Sequence, residues 1–137
     1  MTSKRNPVTF TYKGRSLGIV VLTAAQLFIG VIHVFYGALL IAFGTSILQA
    51  TEAYDVYTLV FGLSVLVFTV FIWQGKKVGW IGTIAVFLFI IAADALKVSN
   101  LPSIPGIPSF APPIEIGYSI LVIIYLSLPH VRRKFFA

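Results

Sequence analysis

Four apolar stretches separated by short polar or proline-rich segments organise this sequence. No formally charged residue occurs from Ser16 to Thr51, and about 20 apolar residues suffice to carry a helix across a bilayer core. The pattern predicts a first helix over 17–42, with the chain breaking or turning along the interface near Gly44, Thr45 and Ser46 before Glu52 and Asp55. A second helix is predicted over 56–74. The linker Gly75-Lys76-Lys77-Val78-Gly79 permits only a tight hairpin, so a third helix follows over 79–97. Residues 99–113 hold Pro102, Pro105, Pro108, Pro112 and Pro113, a density that predicts an extended, polyproline-like loop. A fourth helix is expected over 114–129, bounded by Pro112-Pro113 and Pro129. The fold class expected is all-α: a single domain forming an up-down bundle of four transmembrane helices.

Composition agrees with this pattern. The 137 residues are 58% hydrophobic and 10% charged, too little polar surface to cover a water-soluble globule. The net charge of +6 does not point to nucleic acid, because nine of the ten basic residues sit in clusters beside apolar spans. Lys4, Arg5, Lys13 and Arg15 precede the first helix, Lys76 and Lys77 join the second to the third, and Arg132, Arg133 and Lys134 follow the fourth. Lys97 and all four acids fall on the other side. The positive-inside rule then places both termini in the cytoplasm of a cell-membrane, multi-pass protein. The first apolar stretch far exceeds a signal-peptide core of roughly 7 to 15 residues, so it is expected to remain as a helix. Trp73, Trp80 and Tyr12 are placed at the cytoplasmic interface and Tyr54, Tyr57 and Tyr118 at the outer one.

Candidate chemistry is sparse. Cysteine is absent, which excludes disulfides, thiolate nucleophiles and cysteine metal sites. No Gly-x-Ser-x-Gly, His-Glu-x-x-His or phosphate-binding glycine loop occurs. The first helix carries Thr23, Gln26, Gly30, His33, Gly37 and Gly44 at spacings that share one face, the signature of a helix-packing seam. His33 lies well inside an apolar span, where ionisable groups are costly. A shift of 61 residues lays Gly14-Arg15-Ser16-Leu17-Gly18 on Gly75-Lys76-Lys77-Val78-Gly79 and His33 on Asp94, as in parallel helical-hairpin repeats. Glu115 opens the fourth helix near that depth. His33, Asp94 and Glu115 are thus the candidates for divalent-metal or proton chemistry. The alternative is a neutral His33 bonded to Gln26 or a neighbouring helix, solvated carboxylates, and Lys97 pairing Asp94 one turn away. No cofactor and no metal centre are assigned. His130, beside Arg132, Arg133 and Lys134, suits contact with anionic lipid.

Two exposed segments offer contacts. The alternating tail Val8-Thr9-Phe10-Thr11-Tyr12 suits addition to a partner's sheet edge. In the proline-rich loop, Leu101, Ile104, Ile107 and Phe110 recur every three residues; this apolar face either folds onto the bundle or docks on another subunit.

Three segments, Gly30-Val31-Ile32-His33-Val34-Phe35-Tyr36-Gly37, Gly79-Trp80-Ile81-Gly82 and Ile124-Tyr125-Leu126-Ser127-Leu128-Pro129-His130-Val131-Arg132-Arg133, carry a resemblance. The chain resembles small four-helix integral membrane proteins of archaea. Chains of this kind also occur as accessory subunits of archaeal membrane enzymes, the copper-containing ammonia monooxygenase among them. The resemblance implies a scaffold and no metal site. The function expected is a non-catalytic accessory subunit of a larger integral membrane complex, partnered by lipid and other membrane subunits and not by nucleic acid. The second expectation is a small homo-oligomeric transporter or channel using His33, Asp94 and Glu115. Because the chain lacks cysteine, single thiols report topology directly. A membrane-impermeant maleimide applied to intact cells is expected to label Ser109→Cys in the proline-rich loop and to leave Ser3→Cys unlabelled; the reverse pattern inverts the assigned orientation.

Overall fold

The computed structural model describes residues 11–12, 14–43 and 52–136. It is an all-α polytopic membrane bundle. A hairpin of β1 (Thr11–Tyr12) and β2 (Arg15–Ser16) leads into α1 (Leu17–Phe43), followed by α2 (Glu52–Trp73), α3 (Lys77–Val98), α4 (Ala111–Ser127) and α5 (Pro129–Phe136). Helices α1, α2 and α3 are each long and apolar enough to cross a membrane, and α4 qualifies together with α5, which bends away from it by 69°. Helix α1 is unbroken over its 27 described residues, about 40 Å at the α-helical rise. Gly44 lies outside the described residues.

Several boundaries differ from the sequence reading. Helix α2 starts at Glu52 and not near 56. Helix α4 starts at Ala111 and not at 114, because Pro112 and Pro113 occupy first-turn positions that need no backbone donor. The proline-rich loop therefore covers 99–110. Pro129 opens a fifth helix instead of ending the fold. Val131, fully buried, and Phe135, one turn on, insert into the core, while Arg132, Arg133 and Lys134 stay exposed. That is the pattern of a helix lying along an interface. The tail strand also differs: Thr11 and Tyr12 pair with Ser16 and Arg15 of their own chain, and Val8 to Phe10 lie outside the described residues.

Two helix ends close by the same device. After α2, Gly75 (φ 71°) donates to the Ile72 carbonyl at 3.0 Å and Lys76 to the Phe71 carbonyl at 2.9 Å, the paired bonds of a Schellman motif. After α3, Asn100 (φ 56°) donates to the Lys97 carbonyl at 3.1 Å and Leu101 to the Leu96 carbonyl at 2.9 Å. Asparagine tolerates the left-handed conformation better than most residues, so it serves here where glycine usually stands.

One end of the bundle gathers the basic residues. Arg15 donates to the Trp73 carbonyl at 2.6 Å and lies 4.6 Å from the Trp73 ring centre. Trp80 Nε1 donates to the Leu126 carbonyl at 2.8 Å. Both acceptors are terminal helix carbonyls with no partner in their own helix. Lys77 sits 4.9 Å from the Phe136 ring, and Arg132 lies 5.8 Å from Trp80 and 5.4 Å from Phe136. These contacts bring the starts of α1 and α3 and the ends of α2 and α4 together, which is the up-down arrangement.

The closest helix pair is α1 with α2. Gly30 and Gly37 face Gly62, Leu66 and Leu59, so near that a methyl group on Gly62 would come within 2.7 Å of the Val34 nitrogen and 2.9 Å of the Gly30 oxygen. The 61-residue shift does not reproduce this seam, since the equivalents of Gly30, Gly37 and Gly62 are Ile91, Val98 and Ile123. The second hairpin, α3 with α4, packs through larger groups such as Phe87 against Tyr118, 5.6 Å between ring centres. Gly62→Ala is expected to destabilise the bundle by about 1–3 kcal/mol, the usual cost of overpacking. Gly117→Ala, where nothing lies within 4 Å, is expected to be neutral or stabilising; unfolding in detergent, followed by circular dichroism, distinguishes the two.

Candidate functional site

Polar residues within the bundle fall into two groups. The first belongs to the α1–α2 seam. Thr23, Gln26, Gly30 and Gly37 are all buried there. Gln26 accepts from the Thr69 hydroxyl of α2 at 3.2 Å, and Thr23 bonds back to the Ile19 carbonyl at 2.9 Å. His33 does not bond Gln26. Its Nδ1 lies 2.8 Å from the Ile29 carbonyl one turn back. A carbonyl can only accept, so Nδ1 carries the proton and Nε2 presents a lone pair. The ring stands edge-on to Phe61 at 4.8 Å.

The second group forms where α1 and α4 part. These helices meet at the basic end, where Gly18 lies against Tyr125, but most of their packing is against α2 and α3 respectively. Between them, toward the other end, is a cavity of about 270 Å³ lined by His33, Phe61, Phe87, Phe110, Tyr118 and Glu115, with Ser119 at its wall. Asp94 lies behind Glu115, with no measurable exposure, and the two carboxyls are in hydrogen-bonding contact. Two ionised carboxylates can only accept. Without a proton between them, neither Asp94 oxygen has a donor, and both oxygens are otherwise unpartnered. The buried Tyr118 hydroxyl and Ser119 Oγ also lack partners.

These positions correct several expectations. Asp94 is not solvated at an interface but fully buried, and Glu115 is half-buried on the cavity wall. Lys97 is exposed and does not pair Asp94, and no carboxylate ion pair occurs among the described residues. The reason is position along the helix: Lys97 shares the face of Phe87, Ile90 and Asp94 but stands in the last turn of α3, where residues 95–98 are all exposed. His33 and Glu115 border the same cavity, and Asp94 joins it through Glu115. No trio of His, Asp or Glu among the described residues is arranged to hold a metal ion. Tyr118 points into the bundle and not to a belt, and Tyr57 stacks on Phe61 at 6.4 Å, within electrostatic reach of Glu115 and Asp94. Of the loop residues, Ile107 is buried and Ile104 half-buried, while Leu101 and Phe110 are 54% and 72% exposed. The Ser103 hydroxyl ties the loop to the Ala93 carbonyl of α3 at 2.7 Å.

Tyr118, Ser119, Phe61 and Phe87 were missed as site residues. Their only sequence signal is spacing: Glu115, Tyr118 and Ser119 follow at three and four, one face of a helix. Comparison with protein-family models, curated proteins and solved structures finds no match to this chain. The fold and the site thus define a class by themselves, a polytopic helical membrane protein with an acidic, aromatic-lined opening between its first and fourth helices. Lys97→Ala is expected to leave the melting temperature unchanged. Asp94→Asn, which gives Glu115 an amide donor in place of a competing acceptor, is expected to hold or raise it; matching losses in both variants would instead reveal an ion pair.

Proposed function

We propose that this chain is a small membrane transporter or channel whose exchangeable proton or cation is held by Asp94 and Glu115 beside the α1–α4 opening. The observation that carries the reading is the contact between these carboxyls, one fully buried, with no ion-paired base. Ionisable groups at such depth are expensive and are characteristic of ion pathways and proton relays. A shared proton or a bound cation relieves the repulsion, and losing either restores it, so the pair has two states that ligand exchange can drive. His33 Nε2 offers an acceptor on the opposite wall. His33 and Glu115 border one chain's own opening and Asp94 stands behind Glu115, so the mechanism works within a protomer and within a homo-oligomer alike.

An accessory role in a larger membrane complex is the second reading. It rests on the rim formed by Leu101 and Phe110, two exposed apolar side chains on a loop pinned by Ser103 to α3 and by Ile107 to the bundle. A preorganised apolar rim at the membrane surface suits another integral subunit, and the resemblance to small archaeal subunits points the same way. In proteoliposomes carrying a proton gradient, the wild-type chain is expected to show pH-dependent flux that His33→Ala, Asp94→Asn and Glu115→Gln each reduce by more than tenfold. Unchanged flux in all three removes the transport reading. Co-migration at fixed ratio with larger subunits after gentle native extraction would establish the accessory one.

A further inference from the structure

We infer that the cavity between α1 and α4 is a binding site for a small lipophilic cation, an amine or quaternary ammonium head attached to an apolar body. This deepens the transport reading and rests on the same carboxyl pair. Three independent features specify the ligand.

Charge comes first. Asp94 and Glu115 form one acidic wall, and the groups facing it supply no compensating base. From α1 it meets His33, whose Nδ1 proton is already given to Ile29. From α2 it meets Tyr57 and Tyr54, with Asp55 buried at the start of that helix. From α4 itself it meets Tyr118, and the nearest base on α3, Lys97, is exposed. A cation is what this wall lacks.

Shape and chemistry of the remaining walls come second. His33, Phe61, Phe87, Phe110 and Tyr118 surround the space with aromatic rings. Aromatic faces attract organic cations through their quadrupoles, most strongly where water is excluded. A hydrated inorganic ion gains little from such walls, whereas an ammonium with an apolar body satisfies both the rings and the carboxyls. The volume of about 270 Å³ suits a ligand of modest size. Its mouth is built from Phe110 and Ile114, both exposed, so the ligand enters past apolar side chains.

Third, unused polar atoms converge on the cavity. Ser119 is 1% exposed, lines the cavity, and has an unpartnered Oγ. The hydroxyl of Tyr118, which also lines the cavity, is likewise unpartnered. Buried polar atoms almost always have partners, and two hydroxyls on one wall indicate a ligand carrying a hydrogen-bonding group, which a protonated amine supplies. Exchange is balanced: one ammonium enters, the proton shared by the carboxyls leaves to solvent, and the charge of the site is unchanged.

The test uses the full chain in nanodiscs with benzyltrimethylammonium, a permanent cation, and neopentylbenzene, its neutral isostere. Saturable binding of one benzyltrimethylammonium per chain is expected. Where the shared proton must leave, affinity should strengthen with rising pH by up to about tenfold per unit, since one proton is released per cation bound. Glu115→Gln should weaken binding at least tenfold. Ser119→Leu, which fills the cavity and keeps both carboxyls, should abolish it. Equal binding of neopentylbenzene, or binding unaffected by both variants, overturns the assignment. Cation binding without proteoliposome flux removes the transport reading and leaves the site standing; proton flux without cation binding does the reverse.

Discussion

The arrangement of this bundle depends on how closely α1 can approach α2. A lipid-embedded helix pair gains nothing from burying apolar surface, because lipid tails are as apolar as leucine. Association must come from contact, and contact is closest where side chains are absent. Gly30, Gly37 and Gly62 bring the two backbones together, and the Gln26–Thr69 hydrogen bond fixes their register at 3.2 Å. Helix α1 is thereby committed to α2. Helix α4, whose 17 residues give it about 25 Å, is committed to α3 through bulky rings. The opening between α1 and α4 is the geometric remainder of two hairpins packed with different side-chain volumes.

That remainder accounts for one group of unpaired polar atoms, while Ser16 Oγ, Asp55 Oδ1 and Thr83 Oγ1 lie elsewhere. Along the glycine seam each hydroxyl or amide finds a carbonyl or another side chain. At the opening there is no opposing helix to supply one, and Asp94, Tyr118 and Ser119 keep unpartnered atoms. A carboxyl with no exposed surface is tolerated only if a proton, a cation or a donor stands against it. Glu115 satisfies this condition with a shared proton and fails it without one. Under the transport reading proposed above, protonation of this pair and occupancy of the cavity would be interdependent, the minimum a coupled exchanger requires.

Much of the fold was legible because in lipid each backbone group must be satisfied within its own helix. Long apolar runs therefore announced three spans, α1 and α3 to within two residues and α2 four residues late at its start, and Gly75 announced the tight turn after α2. The entry of α4 was misplaced because prolines were read as breakers when the first helical turn accepts them. Helix α5 was missed because Val131 and Phe135 give only two apolar points of periodicity amid three bases. At the site, the depth match of His33, Asp94 and Glu115 came from sequence, but their grouping did not. Spacing along one helix shows that Asp94 and Lys97 are neighbours. It does not show that the packing of α4 ends between them, leaving Asp94 covered and Lys97 in an exposed last turn.

The two ends of the bundle are built to opposite purposes. At the basic end, terminal carbonyls of α2 and α4 are taken by Arg15 and Trp80, and α5 folds across with Val131 and Phe135 inserted into the core. The residues that gather at this end also carry its charge. At the other end the loop over 99–110 is tied at Ser103 and Ile107, yet its last residue, Phe110, forms the mouth of the cavity. Rotation of a single aromatic side chain there changes access without disturbing a helix. Because α1 and α4 meet where Gly18 lies against Tyr125 and part beyond it, the proposed transport would reach the acidic pair through the opening, with Gly18 and Tyr125 as the contact about which the two helices diverge.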